Sequence, residues 1–496
     1  LALPAGAARG QGAPPGAPPS SAGPAARDAA FVEREANPTV AAARQAQRAF
    51  ERTRRNGLRF YNGGAEARCE ERIGRLCYWN NNGDVPPPEE RSEVITERED
   101  LLVLLARAAA ADPADDWTAG QRLRYLGEAR RHEEAARAAD GCRGTLWWCT
   151  ALRGTAAHWL GRHARAAAAF DSALALMPAA ERCAWRDVSL WLPLKDQGAY
   201  RALACDGGAI PAPAAAQAPA DARGAWERRF WWLAQPLWIL DGNDLRNELL
   251  TRRTITRIES QGGIPYDFPW GDDMAESELR YGTPAAWSIT TGGAADPRPP
   301  SVIGHEPTPS YDFVPRPAAL ADPLTAPASA WVLKEPLARM RYAPRYATSG
   351  FDALPHHQLA RFRRGDSLVV VGAWDVERDR EWGSGAVTAG VGLATATGPA
   401  FLRKADALPR RGAVRVAAPL GAYLASVEVL GPQQRRAGRA REAIEALAPG
   451  AQLSDLLLLR RGAGAAPTLD GVLPEVLGST RIRAGGTMGL YWESYL

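Results

Sequence analysis

Six cysteines, Cys69, Cys77, Cys142, Cys149, Cys183 and Cys205, are the residues whose type and spacing point most directly to chemistry, and all fall in the first 205 of 496 positions. An even set gathered in one region is the pattern of three disulfides in an exported domain. Zinc is the rival, but its ligands favour pairs separated by two to four residues, whereas 7, 6 and 21 residues separate the successive pairs here. Neither CxxC nor CxxCH occurs, which removes thioredoxin-like exchange and haem attachment. Six cysteines allow 15 connectivities. The sequential one, Cys69 with Cys77, Cys142 with Cys149 and Cys183 with Cys205, is expected because each gap spans one local turn or one helical hairpin.

The other reactive residue types form no catalytic pattern. The histidines His132, His158, His163, His305, His356 and His357 lie in no HExxH, and the chain has no P-loop and no GxGxxG fingerprint. Ser349, Asp352 and His356 are too close in sequence for a triad, whose members a fold normally assembles from distant positions. Asp244, Glu248 and Arg252, at i, i+4 and i+8, read as an ion-pair ladder on an exposed helix face rather than a catalytic carboxylate pair. His158 reads as a core or capping histidine. Asp272-Asp273 and the run Asn80 to Asp84 lack the ligand spacing of an EF-hand, so turn chemistry is their reading. No catalytic residue, cofactor or metal is expected, and no enzymatic activity.

The elements that must carry these residues follow from composition and period. At 46% apolar and 23% charged, the chain is an ordinary globular sequence with length for roughly three domains. Its longest apolar run, 101–111, is broken by Arg107 and too short to span a bilayer. A net charge of +4, spread along the chain, leaves no concentrated basic face for nucleic acid. Lys195, Lys334 and Lys404 are the only lysines, so arginine carries nearly all the positive charge, as a GC-rich genome would produce. Residues 1–36, rich in Ala, Pro and Gly, are expected to be a flexible leader; the opening LALPAGAARGQG fits the tail of a signal peptide.

From 38 to 178 the period is helical, with one helix from Ser92 and another expected over 118–139. Gly154, Ala166, Phe170, Ala173 and Pro178 fall at the small and aromatic positions of a tetratricopeptide repeat, with Gly161 where its two helices turn. Ala and Pro at 211–219 mark a linker. Strands are expected over 367–376, 386–396, 414–417 and 422–430, the last half-buried by its alternation, while 439–447 fits either helix or strand. Short strands in this number argue for a β-sandwich. The final GLYWESYL alternates too. Leu490, Trp492 and Ser494 should share one face and Tyr491, Glu493 and Tyr495 the other, both covered, one of them by a neighbouring domain, a partner chain or further sequence.

Twelve of the 17 tryptophans fall between residues 117 and 287. Trp147-Trp148 and Trp231-Trp232 cannot both face inward on one helix, so one of each pair is expected at a domain junction or exposed as a binding anchor. Glycan stacking is the rival use of such rings.

Two segments carry a family resemblance: FWWLAQPLWILDGNDLRNELLTRR from Phe230, and FPWGDDMAESELRYGTP from Phe268 to Pro284. Together they resemble the GWxTD domain of bacterial envelope proteins through Trp270, Asp273, Tyr281, Gly282 and Pro284, supported by Asn247, Glu248 and Arg252. Gln235 replaces the family's aspartate before Pro236, and Pro269 to Asp273 stands where the named motif belongs. The resemblance implies a helix, a turn, then a strand ending in Tyr-Gly-x-Pro, and no known activity.

The expected whole is an α+β multi-domain chain: leader (1–36), disulfide-stapled helical repeats (37–209), GWxTD-like domain (220–298) and antiparallel β-sandwich (299–496). Its expected role is non-catalytic protein binding or scaffolding in an exported or envelope assembly, with self-assembly or a glycan as further partners. Trp147, Trp148, Trp231, Trp232, Trp270 and Tyr281 are the candidate binding residues. The alternative is an envelope enzyme or glycan-binding protein with a site between the GWxTD-like segment and the sandwich.

Overall fold

Helix α1 (Pro38–Asn56) starts where the Asn37 side chain accepts the Thr39 amide hydrogen bond and Pro38 sets the first turn. Its buried Val40, Ala43, Gln47, Phe50 and Arg54 recur every three or four residues. The computed structural model describes residues 37–60, 71–78, 89–205, 222–266, 268–290, 301–305, 311–334, 338–448, 450–460, 468–482, 485 and 487–495. The expected leader, the linker at 211–219 and the run Asn80 to Asp84 lie outside the described residues.

After the hairpin β1 (Glu71–Ile73) and β2 (Leu76–Tyr78), helix α2 (Ser92–Ala111) packs on α1. The single helix expected over 118–139 is two, α3 (Asp116–Glu128) and α4 (His132–Asp140). Between them Arg130 adopts φ +58°, and the Arg131 amide returns to the Leu126 carbonyl at 2.8 Å, closing α3 as a left-handed cap does. Helices α5 (Leu146–Trp159) and α6 (His163–Leu176) then form a hairpin that turns at Gly161, φ +70°. Gly154 lies under the Phe170 ring, where a Cβ would come within 2.9 Å of it.

Cys142 is bonded to Cys149, tying the α4–α5 link, and Cys183 to Cys205, bridging α7 (Ala179–Arg186) to the end of α8 (Leu194–Arg201). These are two of the expected pairs. The third lies outside the described residues, Cys69 entirely and Cys77 for its side chain. Disulfides are compatible with export to an oxidising compartment, and among the described residues no helix is long and apolar enough to cross a membrane.

Helix α9 (Ala222–Ala234) leads to α10 (Asp244–Ser260), which belongs to two cores. Its Leu250, Ile255 and Ile258 close the core of α1–α6, while Leu245 and Leu249 join Phe230, Trp191, Phe313 and Phe351 in a second. Both faces are therefore occupied, and the exposed charge ladder expected on it is not found: Asp244 and Arg252 are buried and Glu248 is half-buried. Helix α11 (Asp272–Tyr281) occupies the stretch where the family resemblance implies a strand; β3 (Ala286–Thr290) and β4 (Ser301–His305) follow it.

The C-terminal half is a β-sandwich, so the chain is an α+β protein in two parts. One sheet has three strands, β10 (Arg411–Pro419), β7 (Ser367–Asp375) and β6 (His357–Arg364) in that order. The other has five: β5 (Gly350–Ala353), β12 (Arg436–Ile444), β11 (Tyr423–Gly431), β8 (Val387–Thr395) and β9 (Gly398–Leu408). All pairs are antiparallel except β5 with β12. Leu368, Val370 and Val416 from one sheet meet Val391, Leu393 and Ala425 from the other. The segment 439–447, undecided from sequence, is strand through Ile444.

Strand β11 is buried on both faces rather than half-buried. Its outer face meets the segment after α9: Glu428 accepts from the Ile239 amide at 2.9 Å and from the Ser426 hydroxyl at 2.7 Å. Arg441 donates to the carbonyls of Leu233 and Gln235, and Arg439 to those of Gln235 and Pro236, at 2.6–2.8 Å.

The terminal strand β14 (Gly489–Tyr491) pairs with β13 (Leu457–Leu459). Tyr491 points into the core against Phe362, as the alternation requires. The covering expected on the other face is not supplied by the described residues: Leu490 and Trp492 are 45% and 52% exposed, and Leu453 and Leu456 are exposed as well.

Gly154→Val tests the helical interlock. Helix propensity favours the change by only about 0.4 kcal/mol, since valine is itself a weak helix former, but Phe170 is fully enclosed and overpacking costs about 1–3 kcal/mol. A net loss near 2 kcal/mol is expected by chemical denaturation; an unchanged midpoint would mean the ring has room to move.

Candidate functional site

A cleft of about 670 Å³ opens where the helices, α10 and the sandwich meet. Ten arginines and four glutamates line it. Its inner wall is a buried ionic lattice. Glu128 is paired with Arg54, with Arg124 at 3.0 Å and with Arg98 at 3.7 Å, while the Tyr125 hydroxyl donates to Glu51 at 2.6 Å. Burial pushes the Glu128 carboxyl up, but Arg54, Arg124 and Arg98 outweigh it and hold it at about 2. Arg98 also pairs with Glu90.

Arg252 is the second anchor. Its Nε donates to Glu248 at 2.6 Å, Nη1 to the carbonyls of Leu279 and Arg280 at 3.1 and 2.9 Å, and Nη2 to the Arg341 carbonyl at 2.7 Å. Glu248 also bonds His158 Nε2 of α5 at 2.9 Å. Burial alone would raise the Glu248 carboxyl; Arg252 and His158 hold it below the usual carboxylate range. Gly282, φ +87°, lets the chain turn against the Arg252 guanidinium, where a Cβ would stand 3.2 Å from Nη2.

One turn earlier on α10, Asp244 accepts from the hydroxyls of Tyr342 and Tyr346 at 3.1 and 3.2 Å. The run RYAPRYAT, from Arg341, thus turns its tyrosines to α10 and sets Arg341 and Arg345 on the cleft wall. Arg345 Nη1 donates to His132 Nε2 at 3.3 Å. Burial first, then Arg345 and Arg130, push His132 down to about 4, so its ring is neutral at physiological pH.

Of the six aromatic candidates, Tyr281 alone lines this cleft, its hydroxyl bonded to Arg280 and Glu71. Trp148 is buried and Trp147 half-buried, edge-on to each other and to Trp185, with Arg257 over both. Trp232 is buried against Trp238 and the sandwich residues Ala394 and Leu424, Trp231 is half-buried against Trp191, and Trp270 is half-buried before α11. No member of either tryptophan pair stands exposed as an anchor; the junction is where Trp232 packs. Ser349, Asp352 and His356 do not assemble, since Asp352 pairs with Arg436 and His356 with Ser479. Asp273, read as a turn residue, is held by Arg75 at 2.6–2.7 Å.

The residues missed from sequence are the arginines. Arginine is common along the whole chain, so none stands out, and only the tyrosine alternation in RYAPRYAT and the turn positions of Arg130 and Arg435 could have marked them.

Arg252→Ala should cost about 3–5 kcal/mol, because it strands the half-buried Glu248 carboxylate and three carbonyls. Lysine in its place keeps the charge without the fork, so R252K should recover only part of the loss in the same denaturation series. Asp244→Asn has a pH signature. Burial raises Asp244 to about 6, although its tyrosine partners pull the other way. A carboxyl raised in the fold contributes stability below its unfolded pKa of about 4 and loses it as pH rises through 6. The stability of the asparagine variant relative to the parent should therefore climb from pH 4 to 6 and level off above. A flat difference would contradict the burial argument. No protein-family model matches the chain, and no curated protein or solved structure matches it.

Proposed function

We propose that the chain is a non-catalytic protein-binding or scaffolding subunit of an exported or envelope assembly, with the junction cleft as its recognition site. One observation carries this reading: the division of charge in the cleft. Glu90, Glu128 and Glu248 are each engaged by arginine, the fourth glutamate, Glu89, is exposed, and His158 Nε2 and His132 Nε2 are taken by Glu248 and Arg345. General acid–base work needs a carboxyl or imidazole free to exchange its proton with substrate. Recognition of an acidic partner needs only the opposite, cations held in place.

The assembly reading has further support in the apolar face of Leu453, Leu456, Leu490 and Trp492, since exposed apolar patches mark interaction surfaces. The small-under-aromatic interlock of α5 and α6 supports likeness to tetratricopeptide repeats, whose stacked hairpins offer partner surfaces. Helix α11 counts against the strand that the GWxTD resemblance implies, while Gly282 and Arg252, both in that resemblance, are in mutual contact. The disulfides favour the periplasm, the cell surface or the extracellular space. Glycan binding is the second reading, favoured by the half-buried rings of Trp159 and Trp287 on the cleft wall.

Affinity capture from envelope fractions tests the proposal. The parent chain and Arg415→Glu, altered outside the cleft on the sandwich, should recover the same protein, and Arg345→Glu should recover at least tenfold less. Equal recovery by Arg345→Glu would remove the cleft from the account.

A further inference from the structure

Among the described residues five arginines of the cleft have no ion-pair partner: Arg59 and Arg91, and three that come from separate parts of the chain and are coupled through the charge on Arg345. Arg130 comes from the α3–α4 turn, Arg345 from the single helical turn Arg345–Ala347, and Arg435 from the β11–β12 turn, and all three line the cavity. Among the described residues no carboxylate lies within ion-pair distance of any of them. Glu248 is the carboxylate whose charge acts on Arg345, and it is already engaged by Arg252 and His158. Burial lowers the Arg345 pKa; Glu248 and Tyr342 pull it up, and Arg130 and Arg435 push it down, as converging guanidiniums must.

Backbone conformation points to the same place. Only three non-glycine residues among those described have positive φ, and two are Arg130, +58°, and Arg435, +51°. The third is Ala407. Positive φ strains an L residue and favours glycine. Two turns on one cavity therefore keep an arginine where glycine would relieve them, and strain of this kind collects at functional sites. His132, beside Arg345, adds a buried Nδ1 with no hydrogen-bond partner. Because Nε2 accepts from Arg345, Nδ1 is the nitrogen that carries the ring proton.

We propose that the cleft binds a compact oxyanion, a phosphate or carboxylate group of its ligand, clamped by Arg130, Arg345 and Arg435. A guanidinium presents paired N–H donors that match the oxygen spacing of both groups. Such an anion offsets part of the charge of the three arginines and relieves their mutual repulsion. The inference rests on the reading of the cleft as a recognition site and names the chemical group recognised.

The test uses the purified full chain with pyrophosphate and citrate as probes and sucrose as the uncharged control, followed by titration calorimetry at low ionic strength. The informative variant is Arg130→Gly/Arg435→Gly, which removes two cations and relieves both positive-φ positions. One oxyanion per chain should bind, sucrose should not, and the double variant should bind at least 30-fold more weakly with an unliganded melting temperature equal to or above that of the parent. Pyrophosphate against citrate separates the phosphate from the carboxylate source. Bound anion should also raise the His132 pKa above its unliganded value of about 4 by NMR while the spectrum keeps its folded dispersion, whereas unfolding would carry the ring to the free value of about 6.5 with that dispersion lost. Absence of binding by both probes, or equal binding by the double variant, overturns the inference. If Arg345→Glu still abolishes partner capture in that case, the recognition reading stands without it; oxyanion binding with capture that ignores Arg345 leaves the inference and removes the reading.

Discussion

The structure depends on one buried guanidinium. Arg252 joins four pieces of chain at once: Glu248 on its own helix, the end of α11 through the carbonyls of Leu279 and Arg280, the 341–348 loop through the Arg341 carbonyl, and α5 through the Glu248–His158 contact. Desolvating an ion costs several kcal/mol, and the ionic partner with three carbonyls is what offsets it. The same helix contributes apolar side chains to two cores. Position and orientation of the helical array relative to the sandwich are thus set along α10, by packing at both ends and by charge in the middle.

The cleft follows from that arrangement. Helices α1 to α3 supply a wall whose carboxylates are already neutralised, and α10 supplies Glu248 and Arg252, neutralising each other. What remains uncompensated projects from turns, where side chains do not have to pack. Asp244 holds the RYAPRYAT segment by its tyrosines and so fixes Arg345 from behind. Glu428, Arg439 and Arg441 bind the segment after α9 to the sheet, which keeps Arg435, at the end of the same strand pair, at the cleft mouth. Rigid positioning of cations on turns is the economy of a binding surface, since little ordering entropy is lost when a partner arrives.

Period and small-residue spacing made much of this legible in the sequence. The α5–α6 hairpin with Gly154 under Phe170, the strands β7, β8, β10 and β11, and two cysteine pairs each follow from local pattern. What local pattern does not show is which element covers a face. Asp244, Glu248 and Arg252 were correctly placed on one helix, yet spacing cannot say that a loop and α11 lie over them. The alternation of β11 is real, but Ile239 and two arginines bury its polar side. The terminal strand shows the converse, an apolar face that no described residue covers. Arg130 breaks a helix through a backbone conformation that no side-chain period records. The cleft arginines come from turns far apart in sequence, where neither period nor motif links them.

The account's central claim, that the junction cleft is where a partner is recognised, is tested most directly by site-specific photo-crosslinking in intact envelopes. A photoreactive residue at Thr348, on the cleft wall, should give one discrete protein adduct, while the same group at Arg415, on the sandwich, should give none. An adduct at position 415 with none at 348, or no adduct at either, would contradict it.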